Sequence, residues 1–315
     1  MSANRPRRRV GLLAAVVTAS VAVAAMLVGC STPGESGAVV EPASQSVKNL
    51  LIVDGLERGV IIEDAADVTA LVPALIMLHG ATGSGTRMQN VTGMDAIAAE
   101  NNFVVAYPDG TDIGKEVGGY AWNAGSCCGK PVTTAVDDVA FIAAVIDELV
   151  ANHGVDPERV YLSGFSNGGM LSYRYACDSG LGISGIAVVG GALNVESCEA
   201  PSALPVLVIH GTADPTVPYN GGPPAKASAD RIGSWENASV ASAAAYWSER
   251  SSCTGHEIDR LADNLIEDEY TGCAVGASLR VVSLEGVTHH WPNEERDGVS
   301  ASALIAAYFG LAPAA

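Results

Sequence analysis

The stretch Gly164-Phe165-Ser166-Asn167-Gly168 sets one hydroxyl between two glycines, after the apolar run Val160-Tyr161-Leu162 and before a helix-forming segment. A serine that merely fills a glycine-rich turn needs no particular partners. A serine that attacks does: it sits on a sharp strand-to-helix turn, with a base to take its proton and an acid to orient the base. Later segments offer both groups. Asp214 follows the apolar run at 205–209, on a turn bracketed by Gly211 and Pro215. The adjacent pair His289 and His290 follows another apolar run, at 278–284. A surface pair or a metal site would also explain two neighbouring histidines, but no nearby His or Cys completes a metal set. Serine, carboxylate and imidazole together are the equipment for acyl transfer through a covalent intermediate.

The elements that must position these groups read as an alternation. Apolar runs at 74–78, 103–107, 160–163, 183–189, 205–209 and 278–284 are expected strands, and helices are expected at 94–101, 138–152, 168–176, 239–250 and 300–309. Continuous apolar strands separated by helices predict a mostly parallel central sheet covered on both faces, in a single domain over 48–312. Such sheets bind ligands beyond the carboxyl ends of their strands. Each candidate group falls just past a strand, and the chain order Ser, Asp, His is the one used by the α/β-hydrolase fold. In that fold a loop after an early strand and the residue after the nucleophile donate backbone N–H groups to the developing oxyanion. Here those residues are Ala81 and Asn167. Losing one such donor typically costs roughly 10²–10³ in rate. His79, at the start of the same loop, reads as a structural hydrogen-bonding residue.

Composition narrows the partners. The chain has 315 residues, 48% of them hydrophobic and only 5% aromatic, so its core is expected to rest on Val, Leu, Ile and Ala. A formal net charge of -18 argues against nucleic acid, which requires clustered cations. The clustered cations present, Arg5, Arg7, Arg8 and Arg9, precede a long apolar run, as in an export signal over 1–29. A membrane-spanning anchor is the alternative, since about twenty apolar residues can cross a bilayer. Leu27-Val28-Gly29-Cys30 resembles a bacterial lipobox, which makes Cys30 the expected lipidation site and the membrane a partner through that lipid. Residues 30–47, rich in Ser, Pro, Gly and Glu, read as a tether. With Cys30 lipidated, six of the seven cysteines remain for three disulfides. Cys253 with Cys273 is the first expected pairing and Cys177 with Cys198 the second, leaving Cys127 and Cys128 as a vicinal pair. The cysteines are too scattered for a metal site, and no cofactor is implied.

Seven stretches together resemble one known group. They are Leu-His-Gly at 78–80, Tyr-Pro-Asp-Gly at 107–110, Trp-Asn-Ala-Gly-Ser-Cys-Cys-Gly at 122–129, Val-Asp-Asp-Val-Ala-Phe-Ile at 136–142, the serine motif itself, His-Gly-Thr-Ala-Asp-Pro-Thr-Val-Pro-Tyr at 210–219 and Thr-His-His-Trp-Pro at 288–292. The chain is similar in these to the esterase family that includes polyhydroxybutyrate depolymerases, feruloyl esterases and acetylxylan esterases. With its lipobox it resembles the actinobacterial lipoprotein branch of that family. The resemblance makes Ser166 the nucleophile, Asp214 the acid and His289 the base, because His290 falls on the variable position of the family's His-x-Trp-Pro element. Many relatives carry Cys where Ala81 stands, and a glycine run where Val287 and Thr288 stand. Trp122 and Trp291 are expected to border the pocket as flat apolar walls.

The expected activity is hydrolysis of a small or polymeric carboxylic ester through an acyl-enzyme. Two rivals use the same fold: a non-catalytic substrate-binding lipoprotein, and a serine peptidase. Which acyl or alcohol group is taken depends on loops that the motifs do not specify.

Overall fold

A computed structural model describes residues 48–313, apart from positions 115, 180, 181 and 202. The expected signal, tether and Cys30 lie outside the described residues. Twelve strands occur in chain order among them: β1 (Lys48–Val53), β2 (Leu56–Glu63), β3 (Val72–Leu78), β4 (Val104–Pro108), β5 (Thr111–Asp112), β6 (Tyr120–Ala121), β7 (Val155–Phe165), β8 (Ile186–Val189), β9 (Pro205–Gly211), β10 (Gly255–Ala262), β11 (Leu265–Thr271) and β12 (Ser278–Leu284). The helices are α1 (Gly85–Thr92), α2 (Met94–Asn101), α3 (Lys130–Thr133), α4 (Asp138–Asn152), α5 (Asn167–Asp178), α6 (Lys226–Ile232), α7 (Val240–Arg250), α8 (Glu294–Asp297) and α9 (Ala301–Tyr308). Ten strands form one sheet in the order β1-β2-β4-β3-β7-β8-β9-β12-β11-β10, with β5 and β6 as a separate ribbon.

The six central strands, β4 to β12 in that order, pair in parallel. Their side chains alternate between two cores. Ala74, Ile76 and Leu78 of β3 face α4, α5 and α7, whereas Leu75 and Met77 face α1, α2 and α9. Burial on both faces is why these strands are apolar throughout. The fold is an α/β-hydrolase with a mostly parallel sheet in a single domain. Helix starts follow local chemistry: the side chains of Asp137, Ser239 and Ser300 each accept the backbone N–H three residues on and cap α4, α7 and α9.

Two antiparallel hairpins extend this core, and neither is expected from the hydrophobic pattern. The first, β1–β2, turns at Asp54-Gly55, both at positive φ (50° and 76°), and joins the sheet through β2 on β4. Asp-Gly suits such a two-residue turn. The second, β10–β11, lies within the acidic stretch between Cys253 and Cys273. Every residue of β10 is exposed, so no alternation of apolar and polar residues identifies it, and β11 joins the sheet by backbone pairing with β12. Its charges discourage pairing with another chain along this edge.

Disulfides join Cys253 to Cys273, at the base of that hairpin, and Cys177 to Cys198; Cys127 and Cys128 form a vicinal pair. The Cys253–Cys273 bond closes a loop with a sequence separation of 20 around a hairpin that buries little. Replacing both cysteines with Ala is therefore expected to lower unfolding free energy by about 3 kcal/mol, through the loop entropy it frees in the unfolded chain. Urea denaturation followed by circular dichroism measures it; an unchanged midpoint under oxidising conditions would contradict this account.

Candidate active site

Strand β7 ends at Phe165 and helix α5 starts at Asn167, so Ser166 alone makes the turn, at φ 54° and ψ -119°. A non-glycine residue with this backbone is strained and has to be held. Its N–H donates to Val189 O (2.8 Å), and its carbonyl accepts Met170 N–H (2.9 Å). The flanking glycines are steric requirements. A Cβ on Gly164 would stand 2.3 Å from Gly168 C, and one on Gly168 would stand 2.5 Å from Leu78 O. The Gly-x-Ser-x-Gly spacing thus lets the strand and helix close tightly enough to leave the serine at their tip.

The loop after β9 carries Asp214, whose side chain is 1% exposed. One carboxylate oxygen accepts the N–H groups of Thr216 (2.7 Å) and Val217 (2.8 Å). The other lies 2.6 Å from His289 Nδ1. His289 Nε2 is in turn 2.8 Å from Ser166 Oγ. Because the carboxylate only accepts, the neutral imidazole carries its proton on Nδ1 and presents Nε2 as a lone pair to the serine hydroxyl. Burial alone would raise the Asp214 carboxyl, but the nearby His210, the hydrogen bond and charge of His289 and the backbone N–H of Val217 outweigh it and hold the group below the usual carboxylate range.

His289 reaches this place because its loop is tied to the acid loop. Ala213 N–H donates to Val287 O (3.1 Å), and Gly286 N–H donates to Thr212 Oγ1 (3.0 Å). Gly211 makes the approach feasible, since a Cβ there would meet Val287 O at 2.2 Å. Val287 is itself buried, so the residue standing in place of the relatives' glycine run anchors this loop. His290 points elsewhere, with Nε2 3.0 Å from Asp297 and Nδ1 3.2 Å from Thr288 Oγ1.

The remaining expected residues separate into two groups. Ala81 lines the cleft, and Asn167 is the first residue of α5, where N–H groups have no partner within the helix. Trp291 also lines the cleft, with its indole N–H donating to Ser302 Oγ (3.1 Å). Trp122 does not, and the expectation of a pocket wall is corrected. It is fully buried, its indole N–H donates to His79 O (2.8 Å), and its ring lies 4.8 Å from that of His79. The 122–129 motif serves the site from behind instead. The Asn167 side chain accepts Trp122 N–H (2.8 Å) and donates to Trp122 O and Cys127 O.

Two supporting residues were not assigned a place in the site from sequence. His210, on β9, is buried with Nε2 donating to Val217 O (2.8 Å) and lying 3.5 Å from the Asp214 carboxylate. The signal for it was the motif at 210–219, in which it opens the acid loop. The Phe165 ring packs against His289 with centroids 4.8 Å apart and planes tilted by 32°. The cleft itself has two lobes that share Gly80, Ala81, Thr82, Arg87, Phe165 and His289. The larger measures about 470 Å³ and the smaller, which includes Ser166 and Thr216, about 190 Å³. An ester has two parts on either side of its reacting carbonyl, and two adjoining lobes, the smaller containing Ser166 and both lined by His289, suit that shape. Among the described residues no group of three or more His, Cys, Asp or Glu side chains could hold a metal ion.

Fold and site together define a carboxylic ester hydrolase of the α/β-hydrolase type. The phospholipase/carboxylesterase family matches residues 58–241, more than half of the chain, and the chain belongs to that family. The Nocardia uniformis subsp. tsuyamanensis protein named "Putative esterase NocK" is 32% identical over 251 residues, covering 72% of this chain and 70% of its own. Feruloyl esterase B of Piromyces equi is 29% identical over 225 residues, covering 69% of this chain; the match spans only 39% of that longer protein. Among solved structures, acetyl xylan esterase from Aspergillus awamori superposes with a TM-score of 0.54 over 81% of this chain and 94% of its own, at 15% identity, a likeness of fold.

His79 generates a pH prediction. Gly110 N–H donates to its Nε2 (3.0 Å), so the ring proton is on Nδ1, facing Gly80 O at 2.8 Å. Burial pushes its pKa down to about 4 from 6.5. The folded state therefore keeps this ring neutral while the unfolded chain protonates it. Stability is complete above the unfolded pKa and falls as pH drops from 6.5 towards 4. The loss is about 3 kcal/mol by the bottom of that window. Unfolding free energies at stepped pH should fall less steeply across the window in His79→Gln than in wild type; equal slopes would show that His79 is not the group responsible.

Proposed function

We propose that the protein is a serine esterase in which Ser166 attacks the ester carbonyl, His289 is the general base and Asp214 orients it. One observation carries this reading: the hydrogen-bonded series Ser166 Oγ, His289 Nε2, His289 Nδ1 and Asp214 Oδ2, at 2.8 and 2.6 Å. As Oγ bonds to the carbonyl carbon, its proton passes to Nε2. The backbone N–H groups of Ala81 and Asn167 receive the resulting oxyanion. Collapse breaks the carbon–oxygen bond to the alcohol, which leaves with the proton from His289. Water, deprotonated by the same imidazole, then attacks the acyl carbon; the bond to Ser166 Oγ breaks, Oγ takes the proton back from His289, and the acid is released.

The substrate class rests on the relatives. Feruloyl esterase B and the Neocallimastix patriciarum bifunctional acetylxylan esterase/xylanase bear names of esterases acting on plant polymers, the latter 27% identical over 165 residues and matched over only 22% of its length. Feruloyl, acetyl and hydroxyalkanoate esters are the candidates, in line with the sequence resemblance to feruloyl, acetylxylan and polyhydroxybutyrate esterases. Turnover of p-nitrophenyl esters of graded chain length, methyl ferulate and a hydroxybutyrate oligomer would rank them. We further propose that the chain is exported and held at the membrane by lipid on Cys30, on the strength of the basic-then-apolar N-terminus, the Leu-Val-Gly-Cys box and the odd cysteine count. Cys30→Ser is expected to keep esterase activity but to leave the detergent phase on partitioning; unchanged partitioning would contradict the anchor.

The adjacent histidines separate mechanism from mere proximity. His289→Ala is expected to lower kcat by about 10⁴–10⁶, comparable to Ser166→Ala, because members of such a unit fail together. His290→Ala should cost only about tenfold, through the cleft wall that its side chain helps to line. A fluorophosphonate probe should label wild type and His290→Ala but not Ser166→Ala. Labelling of none of them would favour a non-catalytic binder, and an inactive His290→Ala beside a near-normal His289→Ala would move the base by one residue.

A further inference from the structure

The chain carries 35 acidic and 17 basic residues, so a cleft drawn from its surface at random would be rich in carboxylates. The two lobes beside Ser166 show the opposite. Their linings include two arginines, Arg87 and Arg296, and no Asp or Glu. The arginines are not equivalent. The Arg296 guanidinium is paired with the Asp297 carboxylate at 3.1 Å and donates to Trp291 O at 2.7 Å, so it holds the loop that carries Trp291. Arg87 lines both lobes, and among the described residues its guanidinium has no hydrogen bond, ion pair or ring contact.

The backbone that delivers Arg87 is fixed. Its own N–H is capped by Ser84 Oγ (3.1 Å), and the first N–H of α1, from Gly85, donates to Asp109 Oδ1 (2.7 Å). The next residue, Met88, is buried in the core, so the helix does not turn away from the cleft. A free guanidinium thus stands on a pinned helix where the two lobes meet, beside the apolar surfaces of Met88, Val91 and Trp291. A guanidinium suits planar, two-pronged anions, carboxylates above all. Elsewhere the strongly negative protein repels such groups, which makes a local cation the means of admitting one.

We infer that Arg87 is a specificity-determining residue, which recognises a carboxylate borne by the ester substrate and directs the enzyme to anionic esters such as half-esters of dicarboxylic acids. The inference rests on the serine-esterase reading above. In a solvated cleft such a contact is worth about tenfold in kcat/KM, more than at an open surface and less than in a sealed pocket.

Matched pairs test it: monomethyl adipate against methyl adipamate, with the charge on the acyl side, and 4-acetoxybenzoate against 4-acetoxybenzamide, with the charge on the alcohol side. In at least one pair the wild type is expected to favour the anionic member by about tenfold in kcat/KM, mainly through KM. Arg87→Gln should abolish that ratio, with the neutral member as internal reference, and Arg87→Lys should restore most of it. Raising NaCl to about 0.5 M should shrink the ratio in wild type and leave it unchanged in Arg87→Gln. The inference is overturned if neither pair favours the anion, if Arg87→Gln leaves the ratio intact, or if it lowers both members alike. Wild-type hydrolysis of the neutral esters without anionic preference would sink this inference alone. Hydrolysis of none of the four, with no fluorophosphonate labelling, would overturn the esterase reading and this inference with it.

Discussion

The structure depends on one strained residue. Ser166 holds a left-handed backbone that a side chain normally avoids, at a cost of roughly 1–3 kcal/mol. Only packing can offset that cost, and the packing prescribes the neighbourhood. Gly168 must lie against the carbonyls of Leu78 and His79, so β3 has to be beside β7 on one side. Ser166 N–H must find Val189 O, so β8 has to be on the other. Gly169 comes close enough to Val188 for a Cβ to meet its Cγ1 at 2.9 Å. A turn this tight cannot sit at a sheet edge, where half of those contacts would be missing. The central place of β7 and the tight glycines follow from a single need, to expose one hydroxyl while burying everything around it.

Behind the elbow lies a polar scaffold rather than more hydrocarbon. Arg58 and Asp138 form a buried ion pair, with the guanidinium over the Phe141 ring, and the second Asp138 oxygen accepts Asn123 N–H (2.6 Å). Asn123 follows Trp122, which bonds on one side to His79 and on the other to Asn167. Carboxylate, amide and indole thus link β2, α4 and the 122–129 loop to the residue that opens α5. Such a chain is costly to bury, and its gain is positional: it holds the Asn167 side chain, at the start of α5, against Trp122 and Cys127.

Much of this was legible in the residues, for physical reasons. Strands buried on both faces announce themselves as unbroken apolar runs, and α2 and α4 carry their periodicity to the ends, so the parallel core and its helices could be placed. The triad groups stood out because each follows a strand. What escaped notice has no apolar signature. Strand β10 buries no side chain at all and β11 little, α3 and α8 are single turns, and α1 and α6 run for only about two. Trp122 misled for a different reason: a large aromatic in a motif beside catalytic residues suits a pocket wall and a buried prop equally, and only the partner of its indole N–H distinguishes them. His210 was hidden because a histidine at the end of an apolar strand gives no sign of which carboxylate it will face.

That hidden histidine bears on how the proposed mechanism stores its charge. Asp214 is almost fully enclosed, and an isolated buried carboxylate would take up a proton rather than stay ionised. It is held ionised by two backbone N–H groups, by His289 and by the nearby His210, which together replace the water it has lost. These donors are already in place before any substrate arrives, so no reorganisation accompanies the reaction. When the Ser166 proton moves to His289, the imidazolium forms next to a carboxylate that is already charged and already oriented. The energy of that ion pair is then realised only as the tetrahedral intermediate develops. An interaction gained there, and absent beforehand, is the kind that speeds a reaction instead of merely tightening binding.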